Sequence, residues 1–378
     1  MFKVEKQVKI RSVQNIEFLF ESVVSIFIAL TLFITCGIDS NRDSNDDGLT
    51  WIEGQSNQID STTYYVSTTG NDDSSGTSKE SAFRTLKKAL MSAGLGGTIH
   101  LLSGTYFESI GLKNLGKSEA SIHIIGFDGV PIFDGEKERT IGIFAENSVN
   151  LIFESLVFQN YTDIGIRASF CQKIILRDLI VRNNGHSVQL KDGELEGYGI
   201  HVENSEDILI TGCDVSLNGP NPKVYPDFLL GTGINTFGNM RVRILNNKSY
   251  QNTGGGILVE DSYDVLVDSN IVLNNDCDAS EDGWWDGGIW VDGGGDVTVR
   301  ANRFEGNLGC GIEISDEDLQ HPKGYVLEDN ISTGNYFGIY IWNFGTADWP
   351  DTTILRMSGN QITGNLRQDI WIQAVGKR

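Results

Sequence analysis

Residues 255–275 read GGILVEDSYDVLVDSNIVLNN. Ile257 and Val259 alternate with outward positions, the period-2 signature of a half-buried strand. The polar run Glu260 to Asp264 turns the chain, and Val265 and Val267 form a second strand. Asn270 marks a tight corner, Ile271 to Leu273 a third short strand, and Asn275 the next corner. Three short strands in a repeat of 23 residues, with parallel copies stacked on one another, is the sequence form of a right-handed parallel β-helix.

The repeat can be followed along the chain. The pair Asn270 and Asn275 recurs as Asn247 and Asn252, Asn302 and Asn307, Asn330 and Asn335, and Asn360 and Asn365. Upstream the first marker becomes Ser155, Asp178 or Cys213, and the second reads Asn160, Asn183 and Asn218. Asn is common in turns of every kind, but a fixed offset predicts more: amides stacked at one corner into a hydrogen-bonded ladder. About nine or ten coils are expected between residue 63 and the C-terminus.

Ahead of the repeats, Val23 to Thr35 is an apolar run of 13 residues, short for a membrane span and suited to the core of a signal peptide. It is followed at once by Cys36, a placement that resembles a bacterial lipoprotein cleavage site, where that Cys takes the lipid. Residues 36–62 are rich in Asp, Asn, Ser and Gln and read as a disordered acidic tether. The domain plan is therefore a leader at 1–35, the tether, and a β-helix over 63–378. An exported protein is expected, lipid-anchored to a bacterial membrane or secreted, and monomeric.

Net charge is −22, and because the leader carries four Lys/Arg and three Asp/Glu, the remainder carries −23. Such a surface excludes nucleic acid as a partner and meets a membrane only through the lipid. Of the five Cys, none forms a CxxC pair or a His/Cys cluster, which excludes a zinc site. Cys277 and Cys310 fall just past the second Asn on adjacent coils, a spacing that admits a disulfide.

The body begins YYVSTTGNDDSSGTSKESAFRTLKKALMSA at Tyr64. Phe83, Leu86, Leu90 and Ala93 recur at helical spacing, predicting an amphipathic helix over Phe83 to Ala93 that covers the first coil. Tyr64–Ser67, Gly70-Asn71-Asp72, Gly76-Thr77, Phe83–Leu86 and Ala89-Leu90, then Gly97-Thr98-Ile99 and Gly104-Thr105-Tyr106, resemble the N-terminal cap of secreted right-handed parallel β-helix proteins of the pectate-lyase-like superfamily. That group holds polysaccharide lyases and glycosidases. The resemblance covers residues 63–378 and implies a fold rather than an activity.

Each regular coil opens with Gly-Ile-x-Val-x, whose third and fifth residues point outward. The third column reads Phe144, Arg167, His201, Asn235, Leu258, Trp290, Glu313, Tyr340 and Trp371; the fifth reads Glu146, Ser169, Glu203, Phe237, Glu260, Asp292, Ser315, Trp342 and Gln373. Aromatic rings among carboxylates, Arg and His are the composition of a sugar-binding cleft, the plain alternative being rings packed under loops. Insertions at His186 to Tyr198, Pro220 to Thr232, Asp276 to Gly287, Asp316 to Gly324 and Asn343 to Thr352 flank this same strand. They raise walls that bring Trp284, Trp285, Asp286, Tyr198, Tyr225 and Trp349 to the cleft.

Three activities fit a poly- or oligosaccharide there. Glycoside hydrolysis needs two carboxylates, about 5–5.5 Å apart for retention. Glu260 and Asp292 share a column on adjacent coils, with Glu313 one coil further. Gly288–Asp292 resembles the strand that bears the nucleophilic Asp in β-helix β-xylosidases. The resemblance implies a Glu at the place of Ser315, so Glu313 stands in as the alternative partner. β-Elimination from a uronate needs a base and a cation: His201 beside Glu203, with Arg167, Lys191, Tyr198 and Lys223, and calcium on Asp282, Asp286 and Asp292. Binding without chemistry needs only the aromatic residues Trp290, Tyr340, Trp342 and Trp285.

Overall fold

The computed structural model describes residues 48–53, 62–186, 195–221, 229–277, 286–317, 323–342 and 354–373. Within the compact unit spanning residues 48–378, each coil visits three sheets in turn. Ile257–Glu260 lies in sheet I, Tyr263–Asp268 in sheet II and Ile271–Leu273 in sheet III. Among the described residues sheets I and II each hold 11 strands and sheet III holds 10, paired in parallel with the coils before and after. This is a right-handed parallel β-helix, as the repeat predicts.

The core follows from the alternation. Ile257, Val259, Val265, Val267 and Val272 are buried inside the coil, and their counterparts stack along the axis into one continuous apolar column. A single coil cannot bury both of its faces, so stability comes from stacking neighbours.

The corners are held by polar ladders. Asn184, Asn218, Asn252, Asn275, Asn307, Asn335 and Asn365 form one file, each side-chain amide donating to Oδ1 of the next at 2.8–3.2 Å. A second file runs Asn247, Asn270, Asn302, Asn330 and Asn360. At a third corner, from sheet I to sheet II, the backbone N–H groups of Cys171, Ser205 and Asn239 donate to the side-chain oxygens of Ser205, Asn239 and Ser262 in the following coils. In the two coils upstream of Cys213 the expected register is off by one residue. Asn160 and Asn183 are the residues with positive φ, 61° and 54°, that precede the ladder position. The ladder positions themselves are Tyr161 and Asn184 at one corner, and Leu156 and Leu179, in place of Ser155 and Asp178, lie in the core at the other. Asn suits both places, because its short amide tolerates the left-handed region and also stacks.

Two further differences concern the N-terminal end. Thr50–Glu53, assigned above to the tether, is a strand that pairs with Ile110–Lys113 and adds a first rung to sheet I. The helix α1 spans Leu86–Ala93 rather than beginning at Phe83, because Thr85 takes an extended conformation and its side chain caps the Lys88 N–H. Phe83 instead bridges to Val66. Leu86, Ala89, Leu90 and Ala93 of α1 are buried against Thr63–Val66 and Gly97–Leu102. Among the described residues no disulfide joins any two of Cys171, Cys213, Cys277 and Cys310. Cys310 opens the strand Cys310–Ser315 and is buried against Phe337 and Tyr340, whereas Cys277 is exposed with its thiol on the Asn274 carbonyl. The two face different surroundings and do not pair.

Candidate functional site

Both outward columns of sheet I run in the register expected. Phe144, Arg167, His201, Asn235, Leu258, Trp290, Glu313, Tyr340 and Trp371 are successive Cα partners. Ser169, Glu203, Phe237, Glu260, Asp292 and Ser315 likewise follow one another. The partly buried Phe237 and Leu258 divide the face into two groups.

The group toward the C-terminus centres on Asp292. Its side chain is 6% exposed. The Ser315 hydroxyl donates to Asp292 Oδ1, and the Glu317 N–H donates to the same atom at 3.1 Å. Trp290 Nε1–H donates to Ser315 Oγ at 2.7 Å, so the indole, the hydroxyl and the carboxylate form one chain. Burial pushes the Asp292 carboxyl up to about 6 against the pull of those two bonds, with the charges of Asp261 and Asp316 adding to the rise. Glu260 is the strand partner of Asp292, as their shared column predicts.

Glu313 is fully buried. Trp342 Nε1–H donates to its Oε1 at 2.6 Å, and its Oε2 has no hydrogen-bond partner. Burial drives this carboxyl well above the ordinary range; the Trp342 bond opposes the rise, and Asp286, Glu317 and Asp292 reinforce it. Tyr340 lies against Trp371 with ring centroids 4.7 Å apart and against Trp342 at 6.4 Å, and its hydroxyl donates to Gln373 Oε1.

In the group toward the N-terminus, Arg167 Nε–H donates to Glu203 Oε1 at 2.9 Å and its guanidinium lies 4.8 Å over the Phe144 ring. His201 Nε2 faces Glu203 Oε2 at 3.6 Å, and Asn235 Nδ2 donates to His201 Nδ1 at 3.0 Å. Burial alone raises the Glu203 carboxyl, but the hydrogen bond from His201 and the Arg167 guanidinium beside it outweigh burial and hold the group at about 2. Tyr198 packs on His201 at 5.0 Å.

The structure therefore brings Asp292, Glu260, Glu313, Trp290, Tyr340 and Trp342 to one end of the face, and Arg167, His201 and Glu203 to the other. Cys36, Lys191, Lys223, Tyr225, Asp282, Trp284, Trp285 and Trp349 lie outside the described residues. Asp286 is close enough to raise both Glu313 and Cys310. Among the described residues, however, no three His, Cys, Asp or Glu side chains are placed to hold a metal.

Sequence reasoning passed over Ser315 as a mere departure, and it missed Asp261 and Asp316. It also missed Trp51, which precedes Gly111 by one rung and Phe144 by two in the same column. The Trp51 ring lies flat over Gly111, where a Cβ would come within 2.4 Å of it, and it meets Phe144 edge-on at 5.4 Å. Thr-Trp-Ile-Glu follows the outward-inward alternation of the later strands, which was the available signal.

A family model described as right handed beta helix region matches residues 132–283 and 231–356. No curated protein matches the chain. Among solved structures, pectate lyase Pel9A aligns at TM-score 0.55 with 15% identity, covering 84% of this chain and 80% of its own. An alginate lyase from Paenibacillus sp. str. FPU-7 aligns at TM-score 0.54 with 15% identity, covering 75% of this chain and 95% of its own. At such identity the likeness is one of fold.

Proposed function

The chain belongs to the right-handed parallel β-helix family, pectate-lyase-like in fold, and from that premise we propose that it is a carbohydrate-active enzyme that hydrolyses glycosidic bonds with the carboxylates of sheet I. The observation that carries this reading is Asp292: a buried carboxyl raised to about 6, in register with Glu260 one coil away, and linked through Ser315 to an outward Trp. Adjacent parallel strands lie roughly 4.8 Å apart, close to the separation of about 5–5.5 Å used by retaining glycosidases. Asp292 is the proton donor of the pair, since a carboxyl half-protonated near pH 6 can give a proton to a leaving oxygen. Glu260 supplies the second carboxylate. Glu313 is sealed beneath Trp342 and keeps the floor of the site uncharged. Trp290, its indole fixed by Ser315, offers a ring to the sugar.

The test is incubation with a panel of polysaccharides. New reducing ends without ultraviolet absorbance, abolished by Asp292→Asn, are the expected result. An unsaturated uronate chromophore points instead to β-elimination, and capture without products to a binding protein; either outcome overturns hydrolysis.

The same reading places the protein outside the cytoplasm, held by a lipid on Cys36. Intact-mass analysis of the membrane fraction is expected to find the chain starting at Cys36 with an added lipid mass. A free Cys36 behind an intact 1–35 segment rules the anchor out.

A further inference from the structure

A uronate-binding cleft needs cations that are free to meet carboxylates. Along the sheet I strands the described residues offer two side chains of permanent positive charge, Lys113 and Arg167, and both are committed. Lys113 Nζ sits 3.0 Å from Glu146 Oε2, and Arg167 is held by Glu203. The rest of the face carries the carboxylates of Glu260 and, above about pH 6, Asp292, while burial pushes Glu313 toward its neutral form. A polyanion approaching it meets like charge, in a chain whose total is already −22.

The Arg167–Glu203–His201–Asn235 network is closed at one end and open at the other. With Asn235 Nδ2 donating to His201 Nδ1, the imidazole carries its proton on Nε2, toward Glu203. Asn235 is 4% exposed, and its Oδ1 is buried with no hydrogen-bond partner. An unmet buried acceptor costs about 1–3 kcal/mol, and in a native fold it calls for a ligand or another explanation. A ligand group that answers it is a donor, and a carboxylate is not one.

We propose that Arg167, His201, Glu203 and Asn235 form a subsite that takes a sugar through a hydroxyl donated to Asn235 Oδ1, and that with both strand cations already paired the cleft selects glycans without carboxylates. This rests on reading the sheet I face as a sugar cleft, but it is independent of whether Asp292 cleaves anything. The subsite lies two coils from Trp290 in the same column, by way of Leu258. At about 4.8 Å per coil that is roughly 10 Å, the reach of a short oligosaccharide rather than of a single ring.

The full-length Asp292→Asn protein is tested on an array of immobilised glycans comprising uncharged, uronate-bearing and amine-bearing chains. The best ligand is then titrated at low and high salt. Capture of uncharged chains is expected, with an affinity unmoved by salt and weakened at least tenfold by adding Asn235→Ala at an unchanged melting temperature. The array arm stands even if that second substitution impairs folding. Preference for uronate or amine-bearing chains, capture of no uncharged chain, or undiminished binding by a folded Asn235→Ala protein overturns the proposal. Binding of uncharged chains that the unsubstituted protein never cleaves leaves this subsite standing and removes the hydrolytic reading. Cleavage of uronate chains with new reducing ends does the reverse.

Discussion

Asp292 titrates against its surroundings, and the cost falls on the fold. Its carboxyl, at about 6 in the folded chain, sits near 3.8 when unfolded. The folded state therefore holds the proton more tightly, and the stability this represents is fully present below pH 3.8 and lost as pH rises through 6. At 1.36 kcal/mol per unit, the ionised group costs about 3 kcal/mol at most. Asp292→Asn keeps the acceptor for Ser315 and Glu317 and removes the charge. Thermal melts at pH 4 and pH 8 are expected to show little gain at the first and a clear rise at the second, while turnover disappears. Equal melting shifts at both values would mean that burial does not burden this carboxyl. At the same scale lies the limit of reading a site from spacing. Column positions gave Asp292 and Glu260 their neighbourhood, because register follows the Gly-Ile-x-Val alternation. The bonds from Ser315 and Glu317, the charges of Asp261 and Asp316, and the orphaned oxygen of Asn235 depend on where side chains turn, which no period encodes.

At the scale of the element, the Asn files act as fasteners. Asn275 is buried, its Oδ1 accepts from the Asn252 backbone N–H and side chain, and its own amide donates to Asn307 and to the Ser249 carbonyl. Asn275→Ala strands a buried N–H and opens a void, for a cost of about 2–4 kcal/mol. Adding Asn307→Ala is expected to cost less than a second full increment, because the two share one bond. Chemical denaturation of both single variants and the double checks this, and strict additivity would deny the coupling. The ladders were legible in the sequence wherever Asn occupies both corners. They were misread by one residue in the coils of Asn160 and Asn183, since a turn amide and a ladder amide look alike as letters. The strand Thr50–Glu53 escaped notice for a related reason: no Asn marker follows it, and polar residues surround it.

Across the whole molecule, stability is local to each coil and its neighbours. The last described rung consists of Leu355–Ser358, Gln361–Ile362 and Gln368–Ile372. Met357, Ile370 and Ile372 stand there where their counterparts in preceding coils are buried, yet they are 39%, 40% and 39% exposed. Amide hydrogen exchange is expected to be slowest in the coils of Asn247 to Asn307 and to quicken toward residue 373. Uniform protection through Gln368–Ile372 would show that this end is covered.

The long Asn file has a consequence of its own. From Asn184 to Asn335 each side-chain amide donates one N–H to the Oδ1 of the following coil and the other to a backbone carbonyl of the preceding coil, so the amide C=O groups all point back along the axis. Aligned amides sum as the peptides of a helix do, so the file is a dipole with its positive pole at the C-terminal rung. At that pole, where the next Asn would stand, the Asp369 carboxylate accepts from both the side-chain and backbone N–H of Asn365. Growth by one more coil would replace that anion with a neutral amide, so the file is electrically terminated by a single carboxylate.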